Sequence, residues 1–207
     1  IITWEPQKFT SLNLKQAKLR EFHVGVFPNL KKLNLSYNEI ISIAKSGLER
    51  CSKLTDFDFS YNLVNNVESL QLLKFCPHLI SVRCNNNPLP SEYDLYIVYH
   101  TSNLKGSNRC PGLQVLNGQE ISLDMRTRSI EKYGNSQQVE QMQWYYGLIK
   151  QYGHFQLRFI QNYVGRVRVM EITGQTGISI ADLSPFKCLQ YCDLSGNDLK
   201  KINGITR

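Results

Sequence analysis

The sequence predicts an α/β solenoid: short parallel strands stacked on a concave face, closed by a cap, followed by a helical connector and the opening of a second stack. Three observations carry this expectation. Segments beginning at Phe27, Cys51 and Cys76 superimpose on one another along the chain. The stretch CPGLQVLNGQEIS, Cys110 to Ser122, reads as an ending, yet it stands well before the end of the 207 residues. Beyond Leu123 the apolar spacing changes from the repeat frame to a helical period.

The repeats come first. FPNLKKLNLSYNEI, CSKLTDFDFSYNLV, CPHLISVRCNNNPL and, later, KCLQYCDLSGNDL share the frame L-x-x-L-x-L-x-x-N-x-L, the leucine-rich repeat signature. Leu33/Leu35/Asn38, Phe57/Phe59/Asn62, Val82/Cys84/Asn87 and Cys192/Leu194/Asn197 fall at matching places. In each short strand alternate side chains point inward, so Leu33 and Leu35 are expected in the core while Lys32 and Asn34 face outward. The asparagine then turns the chain and satisfies backbone groups that the turn would leave unpaired. A weaker copy, FTSLNLKQAKLREF, carries Ala17 in place of the asparagine, and another, VRVMEITGQTGISI, puts Met170 and Ile172 in core positions. Each repeat buries its apolar edge only against its neighbours, which makes the array a solenoid.

The end of the first array resembles the short-repeat leucine-rich proteins whose arrays finish in a special cap, a group that includes the phosphatase-1 regulatory leucine-rich subunit, the spliceosomal A-prime protein, axonemal dynein light chain and mRNA export factor repeats. The residues that carry the likeness are Asn87-Pro88-Leu89, the tyrosine-bearing stretch Tyr93 to Tyr99, and Pro111-Gly112-Leu113-Gln114-Val115-Leu116-Asn117-Gly118. The resemblance implies that Leu113 and Leu116 cover the last repeat's open edge. It covers the repeats and the cap, and none of the connector.

Domain boundaries follow: residues 1–122 form the first capped array, 123–164 an aromatic and basic helical connector, and 165–207 the start of a second array. Within the connector Val139, Met142, Tyr146 and Ile149 share one helical face, and Phe155, Phe159, Ile160 and Tyr163 share another after Gly153. Nothing resembling a second cap follows Leu199, Ile202 and Ile205, so the reading expects the protein to continue past Arg207 or to bury this end in a partner. A chain starting at Ile1 without methionine reads as a fragment.

Composition narrows the function. The hydrophobic content of 42% and charged content of 20% belong to a folded protein, and no window is apolar enough to span a membrane. The six cysteines fit a repeat register and not a disulfide framework: Cys51, Cys76 and Cys110 each precede a leading leucine by three positions, where Phe27 and Phe186 stand in sister repeats. They are expected to be reduced and buried in an intracellular protein, cytoplasmic or nuclear. Neither a phosphate loop nor a nucleophile elbow nor metal-ligand spacing is present, so no catalytic, cofactor-binding or metal-binding residue is assigned, and the chain is read as non-enzymatic.

Two surfaces remain. The outward strand positions Lys32, Asn34, Asp56, Asp58, Ser81, Arg83 and Asn85, with Ser36 and Ser60 in the same columns, form a polar face of mixed sign, suited to a protein partner and not to a phosphate backbone. From 123 to 168 seven basic residues face three acidic ones. A nucleic-acid reading assigns contacts there to Arg126, Arg128, Lys132, Lys150, Arg158, Arg166 and Arg168, interleaved with Trp144, Tyr145, Tyr146 and Tyr152. The competing reading makes these aromatics the buried faces of helices covering the second array. The first function is therefore a protein-interaction scaffold; the alternatives are an RNA-binding or mRNA-export-type adaptor and a non-catalytic appendage of a larger enzyme.

Overall fold

A strand residue flanked by outward polar neighbours can reach the core only if the next strand lies beside it, and the repeat frame supplies such a neighbour every two dozen residues. The computed structural model describes residues 5–25, 27–101, 112–136, 138–139, 144, 167–175, 178–184 and 186–205. It divides into two units, Ile1–Ser129 and Ile130–Arg207, each with its own core.

In the first unit β1 (Ser11–Asn13), β2 (Lys32–Asn34), β3 (Asp56–Asp58) and β4 (Ser81–Arg83) pair in parallel, with Leu12, Leu33, Phe57 and Val82 in register. Leu33, Phe57 and Val82 are buried, as are Leu35, Phe59 and Cys84 two residues on, so the inward alternation expected from the sequence is present. The chain then turns through a left-handed residue in every repeat: Gln16, Tyr37, Tyr61 and Asn86 have φ of 57°, 58°, 54° and 56°. The next residue in the last three of these repeats is the frame asparagine. Asn62 shows its work: Nδ2 donates to the carbonyls of Leu35, Phe59 and Ser60 at 3.0, 3.0 and 3.2 Å, and Oδ1 accepts from the Ile40 amide at 3.0 Å. Asn38 and Asn87 repeat the pattern: Asn38 donates to Leu35 and Ser36 of its own repeat and Leu14 of the one before, Asn87 to Cys84 and Phe59. The return path runs through 3-10 turns, Leu48–Arg50 and Val67–Phe75, the latter N-capped by Asn66 accepting from the Glu68 amide at 2.8 Å.

The array ends as the resemblance implied. Helix α1 (Tyr93–Thr101) buries Leu95, Ile97 and Val98 and packs on the 3-10 segment before it. β5 (Val115–Leu116) adds in parallel to β4, and Leu113 and Leu116 are buried. Asn117 and Gly118 then both take left-handed φ, 53° and 84°, which folds the chain into β6 (Gln119–Glu120) antiparallel to β5. Two successive positive φ values match the right-handed strand twist and favour Asn-Gly. Asn117 also takes the frame asparagine's role: Oδ1 accepts the Cys84 and Asn85 amides at 2.8 and 3.0 Å, and Nδ2 donates to the Tyr93 hydroxyl at 2.9 Å.

Helix α2 (Leu123–Tyr133) crosses the division between units. The expected connector therefore begins inside the first unit, where Met125 packs on the first core and Arg126 is buried. In the second unit β7 (Val169–Glu171) pairs in parallel with β9 (Tyr191–Asp193), Met170 opposite Cys192, and Met170 and Ile172 are fully buried as expected. A second parallel pair, β8 (Ile180–Asp182) with β10 (Lys201–Asn203), gives Ile202 the strand neighbour, Ala181, that the sequence reading did not expect, although Ile202 and Ile205 stay exposed. Gly204, at φ 83°, passes the Ser184 backbone too closely for any Cβ. Trp144 is fully buried among Met170, Ile172, Ile178, Ala181 and Phe186, its indole N–H donating to the Asp182 carbonyl at 3.2 Å. For Trp144 the covering role expected of a connector aromatic holds. Met142, Ile149, Gly153, Phe155, Phe159, Ile160, Tyr163 and the loop LKGSNR lie outside the described residues.

Candidate functional site

The in-register stacking of β1 to β4 lines up side chains that the sequence keeps about two dozen residues apart. One column of the concave face runs Ser11, Lys32, Asp56, Ser81 and the next runs Asn13, Asn34, Asp58, Arg83. Lys32 and Arg83 are exposed, whereas Asn34, Asp56, Asp58, Ser81 and Asn85 are half-buried. All of these but Asn85 line an open groove of about 370 Å³ that reaches from Ser11 to Arg83, floored by Leu12, Leu33 and Phe57.

Its charges alternate by construction. Lys32 lies directly beside Asp56, and Asp58 beside Arg83, with Arg83 Nη1 at 3.8 Å from Asp58 Oδ2. A pair this long, with Arg83 exposed, contributes little stability, which leaves the charges available to a partner. The groove's polar groups are also held in place. Asp58 Oδ1 accepts the amide and hydroxyl of Ser60 at 3.0 and 2.7 Å, and Asn34 Oδ1 does the same with Ser36 at 2.9 and 2.7 Å. These turns correct one expectation: Ser36 and Ser60 are 3% and 5% exposed and are not part of the outward columns. Thr55 donates its hydroxyl to Asp56 Oδ2 at 2.7 Å. In the turns that follow Ser36 and Ser60, exposed Tyr37 and Tyr61 stack with centroids 4.2 Å apart and planes 7° from parallel, and Lys15 Nζ lies 4.9 Å from the Tyr37 centroid. The frame reading assigned these tyrosines nothing, although the repeated Ser-Tyr-Asn was visible.

The basic residues of the connector part company. Arg126 is no surface cation: it is 9% exposed, its Nη2 donates to the Leu113 carbonyl at 2.5 Å, its Nε has no partner, and burial lowers its pKa to about 10. It ties α2 to the cap instead of meeting a phosphate. Arg128 is exposed beside Glu92 and Asp124, at 3.8 and 4.0 Å. Lys132 is exposed over the Tyr133 ring, and Arg168 is exposed just before β7 of the second unit. Lys150, Arg158, Arg166, Tyr145, Tyr146 and Tyr152 lie outside the described residues.

Among the described cysteines Cys51, Cys76 and Cys84 are buried, Cys192 is half-buried and Cys188 is exposed; Cys110 lies outside the described residues. Burial pushes the Cys51 thiol to about 11 and those of Cys76 and Cys84 to about 12, values that keep all three protonated and unreactive near neutrality. No group of three metal-ligating side chains occurs among the described residues, and no described helix is long and apolar enough to cross a membrane.

No family model matches the chain. The U2 small nuclear ribonucleoprotein A' of Schizosaccharomyces pombe is 26% identical over 120 residues, 56% of this chain and 46% of the relative, so the chain spans about half the length of that curated relative. Among solved structures, the Drosophila melanogaster SNF/U2A' complex superimposes with a TM-score of 0.52 at 21% identity, covering 66% of this chain and 75% of the other. The Chaetomium Mex67:Mtr2 subunits overlap less, with a TM-score of 0.37 at 20% identity over 50% of this chain and 64% of the other. In-register strands, the asparagine frame and this likeness together identify the chain as a leucine-rich repeat protein.

Proposed function

We propose that the first unit is a non-enzymatic adaptor that holds another protein in its concave groove. The observation that carries this reading is the in-register charge mosaic, Lys32 beside Asp56 and Asp58 beside Arg83, on parallel strands. Complementary patches of this kind select partners by sign and position more than by raw affinity. The relative named above belongs by its name to a ribonucleoprotein, and the solved neighbour is a complex by its title, which supports a place in a protein assembly and a nuclear location.

RNA contact is the second reading, and it now rests on fewer residues. Arg126 serves the cap, and the groove's carboxylates repel phosphate. An appendage role within a larger enzyme is compatible with the same groove. The test is affinity capture with the intact chain, with and without nuclease, beside the double variant Asp56→Lys/Asp58→Lys. Retention of a protein by the natural chain despite nuclease, and its loss from the variant with an unchanged circular dichroism spectrum, is the expected result. Release by nuclease, or equal retention by the variant, sinks the proposal.

A further inference from the structure

Tyr37 and Tyr61 hold left-handed backbone that large residues adopt only with strain. The same register holds Asn86 in the next repeat and Gly174 and Gly196 in the second unit, residues that take this conformation at lower cost. The first unit therefore keeps two aromatic rings where smaller residues would sit more easily, and each ring remains 43% exposed despite the stack.

The two ends of that stack differ. Lys15 closes the outer face of Tyr37. Among the described residues no cation and no further ring covers the remaining face of Tyr61, and the next residue in that row is the exposed Asn86. The same repeat supplies Asp56 and Asp58 on the groove side and Leu63, half exposed, just beyond the ring. Asp58 presents a fixed carboxylate: Oδ1 is held by Ser60, while Oδ2 has only the long contact to Arg83. The Tyr37 hydroxyl is held above its ordinary pKa first by its hydrogen bond with Tyr61 and in part by the charge of Asp58, so carboxylate and stack share one electrostatic neighbourhood.

We propose that this third repeat reads an arginine of the partner protein, whose guanidinium stacks on exposed Tyr61 beside Asn86 and pairs with Asp58 in place of Arg83. This rests on the reading of the groove as a protein-binding surface. A guanidinium is flat and weakly hydrated and forms both contacts at once, whereas an ammonium forms them as a point charge. A nucleobase would also stack, but its phosphate would lie against Asp56 and Asp58.

The test is a titration of the intact chain, followed through its tyrosine ring resonances, with a blocked Gly-Arg-Leu-Gly peptide, its Gly-Lys-Leu-Gly counterpart and oligouridylate. The arginine peptide is expected to shift Tyr61 and Tyr37 and to bind more tightly than either control. Tyr61→Asn, which relieves the backbone, is expected to keep or raise the thermal midpoint while weakening the arginine peptide about fivefold. Asp58→Asn keeps the turn, as Asn34 does one repeat earlier, and is expected to weaken it similarly with unchanged stability. Equal binding of the two peptides, tighter binding of oligouridylate, or unchanged affinity in Asp58→Asn overturns the proposal. A protein partner lost from Asp56→Lys/Asp58→Lys but kept by Tyr61→Asn refutes the arginine position alone. Peptide lost from Tyr61→Asn while the charge-reversed groove keeps its protein refutes the groove reading alone.

Discussion

Asn62 donates to three carbonyls and accepts one amide from a position 4% exposed, so its removal strands the buried Ile40 amide and takes one donor from each of the Leu35, Phe59 and Ser60 carbonyls, which keep Asn38, Asn87 and the Tyr37 amide. Asn62→Ala is expected to lower unfolding stability by about 3 kcal/mol in urea denaturation. Asn62→Asp should cost as much or more, because a carboxylate has no hydrogen to give the Leu35, Phe59 and Ser60 carbonyls. The buried thiols act at the same scale. Cys76 and Cys84 titrate at about 12 in the folded chain against an ordinary value of 9.0, so folding favours their protonated form. Their contribution is complete below the ordinary value and is lost as pH rises from there toward 12. At about pH 10 these two thiols should stay unlabelled by a thiol reagent in native protein and react fully in denaturant, while exposed Cys188 reacts in both. Labelling of Cys84 in the native chain would contradict its burial.

Elements are set by how repeats begin and stop. The hairpin β5–β6 depends on two consecutive left-handed residues, and Gly118 is the one that a side chain would strain most. Gly118→Val is expected to cost roughly 1–2 kcal/mol and to speed amide exchange at Ile121, which bonds the Gln114 carbonyl across the hairpin at 2.8 Å. Much of this element was legible beforehand: Leu113, Leu116 and the Asn-Gly pair are recognisable by type and spacing. Arg126 was not. It sits in a run of polar residues that looks solvent-facing, and only its position behind the Leu113 carbonyl removes it from the surface. The β8–β10 pair escaped because Ala181, the buried residue of β8, is too small to mark a core strand by its type. The mosaic of Lys32, Asp56, Asp58 and Arg83 was visible because strand alternation alone fixes which residues face out. The fixed carboxylate of Asp58 was hidden, because the serine that holds it looks like another outward residue.

For the whole molecule, two cores within one chain imply local failures that stay local. Trp144 is fully buried in the second core. Trp144→Ala should cost about 3–5 kcal/mol there and raise exchange at the Ile172 amide, which bonds the Asp193 carbonyl at 2.8 Å. The Leu35 amide, bonded to Asp58 in the first unit at 2.6 Å, should exchange as before. Equal acceleration at both amides would mean that the units unfold as one.

The asparagine amides described above also give the first unit a direction. Asn38 grips the Leu14 carbonyl, Asn62 the Leu35 carbonyl and Asn87 the Phe59 carbonyl, and Asn117 holds the Cys84 and Asn85 amides, so every clasp is worn by the later repeat and fastened on the earlier one. A ribosome releases the clasped edge before the clasp exists. Each newly emerged repeat therefore waits for the next one to lock it, and the array sets behind the point of synthesis like a zip whose slider is the cap.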